Sequence, residues 1–152
     1  MIAVIQRVLK AHVAIDEQIV AAIDQGILAL VAVEKTDTAR QLQLLTQKII
    51  DYRIFTDDAG KMNHSLADIE GGLLIVPQFT LAADTRSGLR PGFSAAAPPS
   101  QAKELFKQLC DYAHQQYAHV SHGIFGADMK IELINDGPVT FYLKQSGDES
   151  YS

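Results

Sequence analysis

Cysteine is nearly absent. Cys110 is the only one in 152 residues, so no disulfide can form within the chain, and a reducing compartment is implied. Long apolar runs are also missing. The longest is Ile27–Val33, seven residues, where a helical membrane span needs about 20. The opening stretch Met1-Ile2-Ala3-Val4-Ile5-Gln6-Arg7 has no basic segment followed by a long apolar one and a small-residue cleavage site, so it does not read as a leader peptide. Together these absences make the cytoplasm the expected location, with no membrane partner. Positive charge is scarce: 13 Lys and Arg against 18 Asp and Glu, a net charge of −5. That excludes a broad basic face coating nucleic acid, which draws on many cation–phosphate contacts. A local grip on one RNA end remains open. The common catalytic signatures are absent too. No Gly-x-Ser-x-Gly elbow, His-Glu-x-x-His helix, phosphate-cradling Gly-x-x-x-x-Gly-Lys or cysteine pair occurs.

What is present fits one α+β domain. Hydrophobic residues make up 47% and charged residues 20%, ordinary for a globular chain with a proper core. No repeat, linker or composition break divides it. The domain is expected to span residues 1–145, followed by a polar, frayed tail at 146–152. Ile2–Leu9 reads as a strand. Asp16-Glu17-Gln18 and Asp24-Gln25-Gly26 read as turns. Ile27–Val33 is apolar on both faces, as a central strand would be. Thr38-Ala39-Arg40-Gln41 fits a capping box opening a helix over 38–51, with Leu42, Leu45 and Ile49 at helical spacing. Arg53-Ile54-Phe55 reads as a short strand. Leu73–Val76 is a second wholly apolar strand, stopped by Pro77. Ser100 is expected to cap a second helix carrying Ala102, Leu105, Phe106, Leu109 and Ala113 on one stripe. Met129, Ile131 and Leu133 alternate with polar residues. Val139–Leu143 is expected to return against them as a hairpin across Asn135-Asp136-Gly137-Pro138. The expectation is a mostly antiparallel, barrel-like sheet with two main helices packed on it.

Few residues offer chemistry. The five histidines include His119 and His122 at a spacing a metal can use. With no cysteine ligands and no strong carboxylate partner nearby, they read as solvated surface groups, and no metal is expected. Cys110 lies mid-helix beside the apolar stripe, as a small hydrophobe does. Gln78-Phe79-Thr80 follows a strand that ends at proline. Such a strand delivers polar side chains and free backbone N–H groups to a sheet edge, where they can stabilise an oxyanion during ester hydrolysis. Thr80 itself fits a nucleophile, a positioner or a structural hydroxyl. Between Asp84 and Pro99 lies a long loop of two glycines, three prolines, and Arg86 and Arg90. The arginines fit solvated charge or a phosphate clamp. Gly137-Pro138 reads as a turn, or as a rigid, side-chain-poor step that can be cis and can act as a chiral gate.

In order and spacing, these segments resemble the D-aminoacyl-tRNA deacylases of the bacterial and eukaryotic type along nearly the whole chain. The resemblance runs through Met1–Val8, Val33-Glu34-Lys35, Tyr52–Phe55, Gly60–Asn63, Gln78–Thr85, Gly88-Leu89-Arg90-Pro91, Gly123–Met129 and Asn135–Phe141. It implies a cofactor-free editing hydrolase that frees D-amino acids, and glycine, from the 3′ end of tRNA and spares L-aminoacyl-tRNA. It implies a homodimer with active sites at the subunit interface. Gln78, Phe79 and Thr80 would line the catalytic pocket, and Phe125, Ala127 and Met129 would help bind substrate. The Gly137-Pro138 step, cis in the family, would enter the partner's site and exclude L-residues. Arg7, Arg86 and Arg90 are the expected tRNA contacts. Family catalysis relies largely on the terminal ribose 2′-hydroxyl assisting water, so Thr80 becomes a positioner. The chain departs from the family where Ser-Gln-Phe-Thr reads Pro77-Gln78-Phe79-Thr80, and where Arg-Pro-Ser-Phe reads Arg90-Pro91-Gly92-Phe93. Each change removes a hydroxyl, Pro77 a backbone N–H as well, and at Pro77 altered affinity is expected before lost activity. The competing readings are a binding module of the same fold that holds an RNA end without cleaving it, and a general esterase using Thr80 covalently.

Overall fold

The 14 residues of β1, Ile2–Ile15, organise the whole sheet. The computed structural model describes residues 1–147. One edge of β1 is shared by two strands: residues 11–15 pair antiparallel with β2 (Gln18–Ile23), and residues 2–8 with β3 (Gly26–Ala32). The β1–β2 turn carries positive φ at Asp16 and Glu17, 49° and 66°, the twist a tight hairpin needs. β6 (Gly72–Pro77) lies parallel to β3, and β7 (Val120–His122) parallel to β6. The sheet order is β2-β1-β3-β6-β7, with β8 (Lys130–Lys144) on the other edge of β1. This nearly closed, barrel-like mixed sheet and its two helices make one α+β domain. The part of the expected tail from residue 148 onward lies outside the described residues.

Helices make the parallel pairings possible, because a parallel connection must cross the sheet. α1 (Ala39–Asp51) lies between β3 and β6, and α2 (Pro99–Gln116) between β6 and β7. β3 is covered on both faces. Ile27, Ala29 and Val31 pack toward the helices with Leu45, Ile49, Leu105 and Leu109. Leu28 faces the other side with Val8, Val13, Leu74 and Val76. This two-sided burial is why the run is apolar without alternation. At the start of the β3–β6 pair the backbones nearly touch. A Cβ on Gly26 would stand 1.9 Å from the Gly72 carbonyl oxygen, so only glycine fits there.

Local signals hold at α1, where Thr38 is the N-cap and the capping box with Gln41 forms. At α2 the structure corrects the expectation. The helix begins at Pro99 behind Pro98, and no side chain caps it, so Ser100 is already inside the first turn. Proline suits the first helical position because its φ is preset and it has no N–H to leave unpaired. The short strand expected at Arg53–Phe55 is displaced to β4 (Phe55–Thr56), which pairs with β5 (Met62–His64).

The larger correction concerns β8. The two arms expected to form a hairpin do not pair with each other. Both run along β1, residues 130–135 against Val8–Ala14 and residues 140–144 against Ile2–Gln6. Between them the register jumps, and Asp136–Val139 bulge out opposite Arg7. Alternating arms around a Gly-Pro step fit a hairpin and a bulged strand equally well. A 14-residue partner with a free edge decides for the bulge, since it satisfies both arms in one ladder.

Candidate active site

The last ladder bond on this side of β6 runs from the Gln78 N–H to the Val31 carbonyl, 2.7 Å. Pro77 has no N–H to continue pairing. The chain then folds into a short 3₁₀ turn, Phe79–Ala82, closed by Leu81 N–H to Gln78 O and Ala83 N–H to Thr80 O. The Phe79 and Thr80 N–H groups open this turn, and among the described residues neither donates to an acceptor in the chain. Two adjacent unengaged donors suit the oxygen of a tetrahedral intermediate. The Gln78 side-chain amide donates to the Thr80 hydroxyl at 2.5 Å. The Thr80 oxygen thus accepts from Gln78, and its own proton remains available to a further partner.

Beside this turn lies a cleft of about 510 Å³. Its walls bring together five of the residues singled out in the sequence: Gln78, Phe79, Phe125, Ala127 and Met129. The segment after β7 is drawn alongside β6 by the Gly123 N–H, which donates to Ile75 O at 2.8 Å. Ala97, Pro99 and Ala102 complete the wall. No sequence signal marked them as site residues, because Ala102 carries the stripe of a core helix and the other two look like ordinary loop. The lining is chiefly apolar with a few polar groups, and the volume is of the order that holds a nucleoside-sized ligand.

Other predicted residues lie elsewhere. Thr80 adjoins the cleft through Phe79 and Gln78 but is not in its lining. Arg86 is bound to Asp84, with Nε and Nη2 donating to the two carboxylate oxygens at 2.9 and 2.8 Å. That guanidinium holds the Asp84 carboxyl down at about 2. Asp84 also pairs with Gly92 by two backbone bonds, 2.6 and 3.0 Å, so the start of the long loop is a closed hairpin-like turn. Its far side is tied to the site by the Phe79 and Phe93 rings, 5.2 Å apart. Arg90 is exposed and forms no ion pair among the described residues.

Gly137-Pro138 is a cis peptide on the exposed bulge of β8. It does not line the cleft of its own chain. Gly137 has φ of 149°, a conformation that side chains disfavour. Two side chains fasten the bulge. The Asn135 side-chain amide donates to Arg7 O and Val139 O at 3.0 and 2.9 Å, and its oxygen accepts from the Val139 N–H at 3.2 Å. Arg7 Nε donates to the Asp136 carbonyl at 3.0 Å, and Nη1 to the Ile54 carbonyl at 2.8 Å. Arg7, an expected RNA contact, also braces the fold through these bonds.

Burial pushes the Cys110 thiol up to about 12, which leaves it inert as a nucleophile. His12 pairs with Glu132 at 3.1 Å, and the His114 and His122 rings stand 5.8 Å apart. Among the described residues, no group of three or more His, Cys, Asp or Glu side chains is gathered as metal ligands would be.

A family model described as D-Tyr-tRNA(Tyr) deacylase matches residues 4–144. A protein of Francisella tularensis subsp. novicida named D-aminoacyl-tRNA deacylase is 58% identical over 144 residues, 95% of this chain and 99% of the relative. One of the same name from Pseudomonas putida (strain W619) is 58% identical over 140 residues, 92% and 97% of the two chains. Among solved structures, one titled c-Myc DNA Unwinding Element Binding Protein superposes with a TM-score of 0.92 at 34% identity, covering 96% of this chain and 99% of its own. Another, titled as a probable eukaryotic D-amino acid tRNA deacylase, has a TM-score of 0.81 at 16% identity over 93% and 97% of the two chains. At that identity it supports the fold alone.

Proposed function

Because the chain belongs to the D-Tyr-tRNA(Tyr) deacylase family, we propose that it works in the cytoplasm as a homodimeric editing hydrolase on the 3′ end of D-aminoacyl-tRNA. The observation that carries the reading is the single cleft formed by Gln78, Phe79, Phe125, Ala127 and Met129 beside two open N–H donors. The terminal adenosine occupies the apolar cleft. Water, assisted by the ribose 2′-hydroxyl, attacks the ester carbonyl. The Phe79 and Thr80 N–H groups stabilise the oxyanion. The ester bond to the ribose 3′ oxygen then breaks, and a proton passes to that oxygen. Free D-amino acid and tRNA are the products. Thr80 positions and does not attack.

Gly137-Pro138 is the chiral gate in this reading. It stands clear of its own cleft and is braced at both ends, as a part presented to a second subunit would be. Its backbone occupies the direction an L side chain would need, so D-residues and glycine are accepted. Arg90 is the candidate phosphate contact, since Arg7 and Arg86 are already bound within the chain.

The test is deacylation of D-tyrosyl-, L-tyrosyl- and glycyl-tRNA by the purified protein. Release from the D and glycyl esters with L spared is expected. Equal cleavage of D and L esters would remove the gate. A terminal 2′-deoxyribose should slow the reaction strongly while Thr80→Ala slows it little. The reverse pattern would favour a covalent esterase. Tight binding of an aminoacyl-adenosine amide with no ester turnover would favour a binding module.

A further inference from the structure

We propose that the hollow adjoining the cleft is a subsite for the second nucleotide of the RNA 3′ end. The inference rests on the reading above, in which the cleft holds the terminal adenosine. The hollow has a volume of about 530 Å³ and lies between the first half of α2 and the segment after β7. It borders the cleft. Phe125 lines both, and α2 walls both, with Pro99 and Ala102 on the cleft side and Ser100, Lys103 and Phe106 on the other. One phosphodiester joins a terminal nucleoside to its neighbour. A strand whose last base fills the cleft must therefore lay its next base on an adjoining wall.

The wall has the chemistry of a stacking platform. The half-buried Phe125 ring and Ile124, 51% exposed, form the shelf, and the buried Phe106 ring backs Phe125 at 6.3 Å. Unpaired bases are held by flat apolar surface together with a cation for the phosphate. Lys107 and Asp111, 3.0 Å apart, neutralise each other on this wall, while Glu104 stays anionic with only a neutral amide donor, Gln108 at 3.1 Å. Lys103 has no carboxylate partner among the described residues. It stands one turn into the helix that separates the two concavities, where the bridging phosphate would pass. One apolar shelf and one free cation match one base and one phosphate. An acidic peptide would need more cations than the wall offers. All tRNAs share the same unpaired 3′ end, so this subsite would serve every substrate alike.

The experiment compares two small substrates: D-tyrosyl adenosine, and the D-tyrosyl ester of the dinucleotide cytidylyl-adenosine. For the wild type, kcat/KM for the dinucleotide should exceed that for the nucleoside on the order of tenfold. The advantage should shrink as salt rises. Lys103→Glu and Ile124→Ser should each remove most of it while leaving the adenosine ester within about twofold. Lys48→Glu, on the exposed side of α1, should change neither. A wild type without preference for the dinucleotide would overturn the subsite, as would variants that lower both substrates equally or leave both unchanged. Hydrolysis of neither ester by the wild type would overturn the functional reading and the subsite together, a distinct result.

Discussion

Arg7 and Asp136 face each other across the wider of two register shifts in the β1–β8 ladder, the Arg7 Nε donating to the Asp136 carbonyl at 3.0 Å and standing 3.4 Å from its carboxylate. The contact fixes the residue next to Gly137-Pro138, and the same guanidinium reaches the residue just before β4 through the Ile54 carbonyl. The bulge is thereby locked to two parts of the fold.

Arg7→Lys should loosen that lock, because an ammonium lacks the planar fork that serves both carbonyls. Deacylation of D-tyrosyl-tRNA should fall on the order of tenfold, with about 1–3 kcal/mol lost in stability. The diagnostic measurement is the ratio of D to L cleavage, expected to narrow. A variant with unchanged rate and unchanged ratio would show that the brace is irrelevant to the gate.

Gly137→Ala places a methyl 2.5 Å from Val139 Cγ2 and 2.6 Å from the Val139 N–H nitrogen, at φ of 149°. The bulge must shift. Activity should drop by more than stability does, as judged by kcat/KM beside a urea melt. Wild-type kinetics in this variant would contradict the placement of the gate.

Met1 holds a buried ion pair. Its ammonium lies 2.6 Å from Asp37 and 3.1 Å from Glu34, with Met1 and Asp37 fully buried. Burial pushes the Asp37 carboxyl up, and the ammonium and the Glu34 N–H restore it only in part. Such a pair is weak as net stabilisation but costly to break from one side. Asp37→Asn should lose about 3 kcal/mol in denaturant unfolding. Glu34→Gln should lose less, since its side chain is partly exposed. Equal small losses in both would refute the asymmetry.

Thr46 is 1% exposed in α1, and its hydroxyl has no partner among the described residues. Thr46→Val keeps the shape and removes the unpaired polar atom, so it should gain about 1 kcal/mol. A lowered unfolding midpoint would mean that the hydroxyl is satisfied in solution.

Asp84 should titrate near 2 in place of the ordinary 3.8, followed through its carboxyl carbon by NMR. A carboxyl lowered in the folded chain binds protons less readily there. Its contribution to holding the loop is therefore present above 3.8 and lost as pH falls toward about 2. Arg86→Gln should bring the midpoint back up. A wild-type midpoint at the ordinary value would dissolve the clamp.

Much of this protein was written locally. Thr38 and Gln41 start α1 because their side chains cap the backbone beside them. Pro77 ends β6 because it has no N–H. Ile27–Val33 declares burial on both faces by its lack of polar residues. Gln78, Phe79, Phe125, Ala127 and Met129 could be singled out as motifs, but nothing local said that they share one cleft. Tertiary structure decided the matters that depend on a distant partner. The arms around Gly137-Pro138 are one bulged strand because β1 is long enough to pair with both. Arg7 is a brace because Ile54 and Asp136 come within reach of its guanidinium, and Arg86 is tied down because the turn brings Asp84 under it. A sequence states what each residue can bond to. Which of those bonds forms depends on which unpaired groups the folded chain brings within hydrogen-bonding distance.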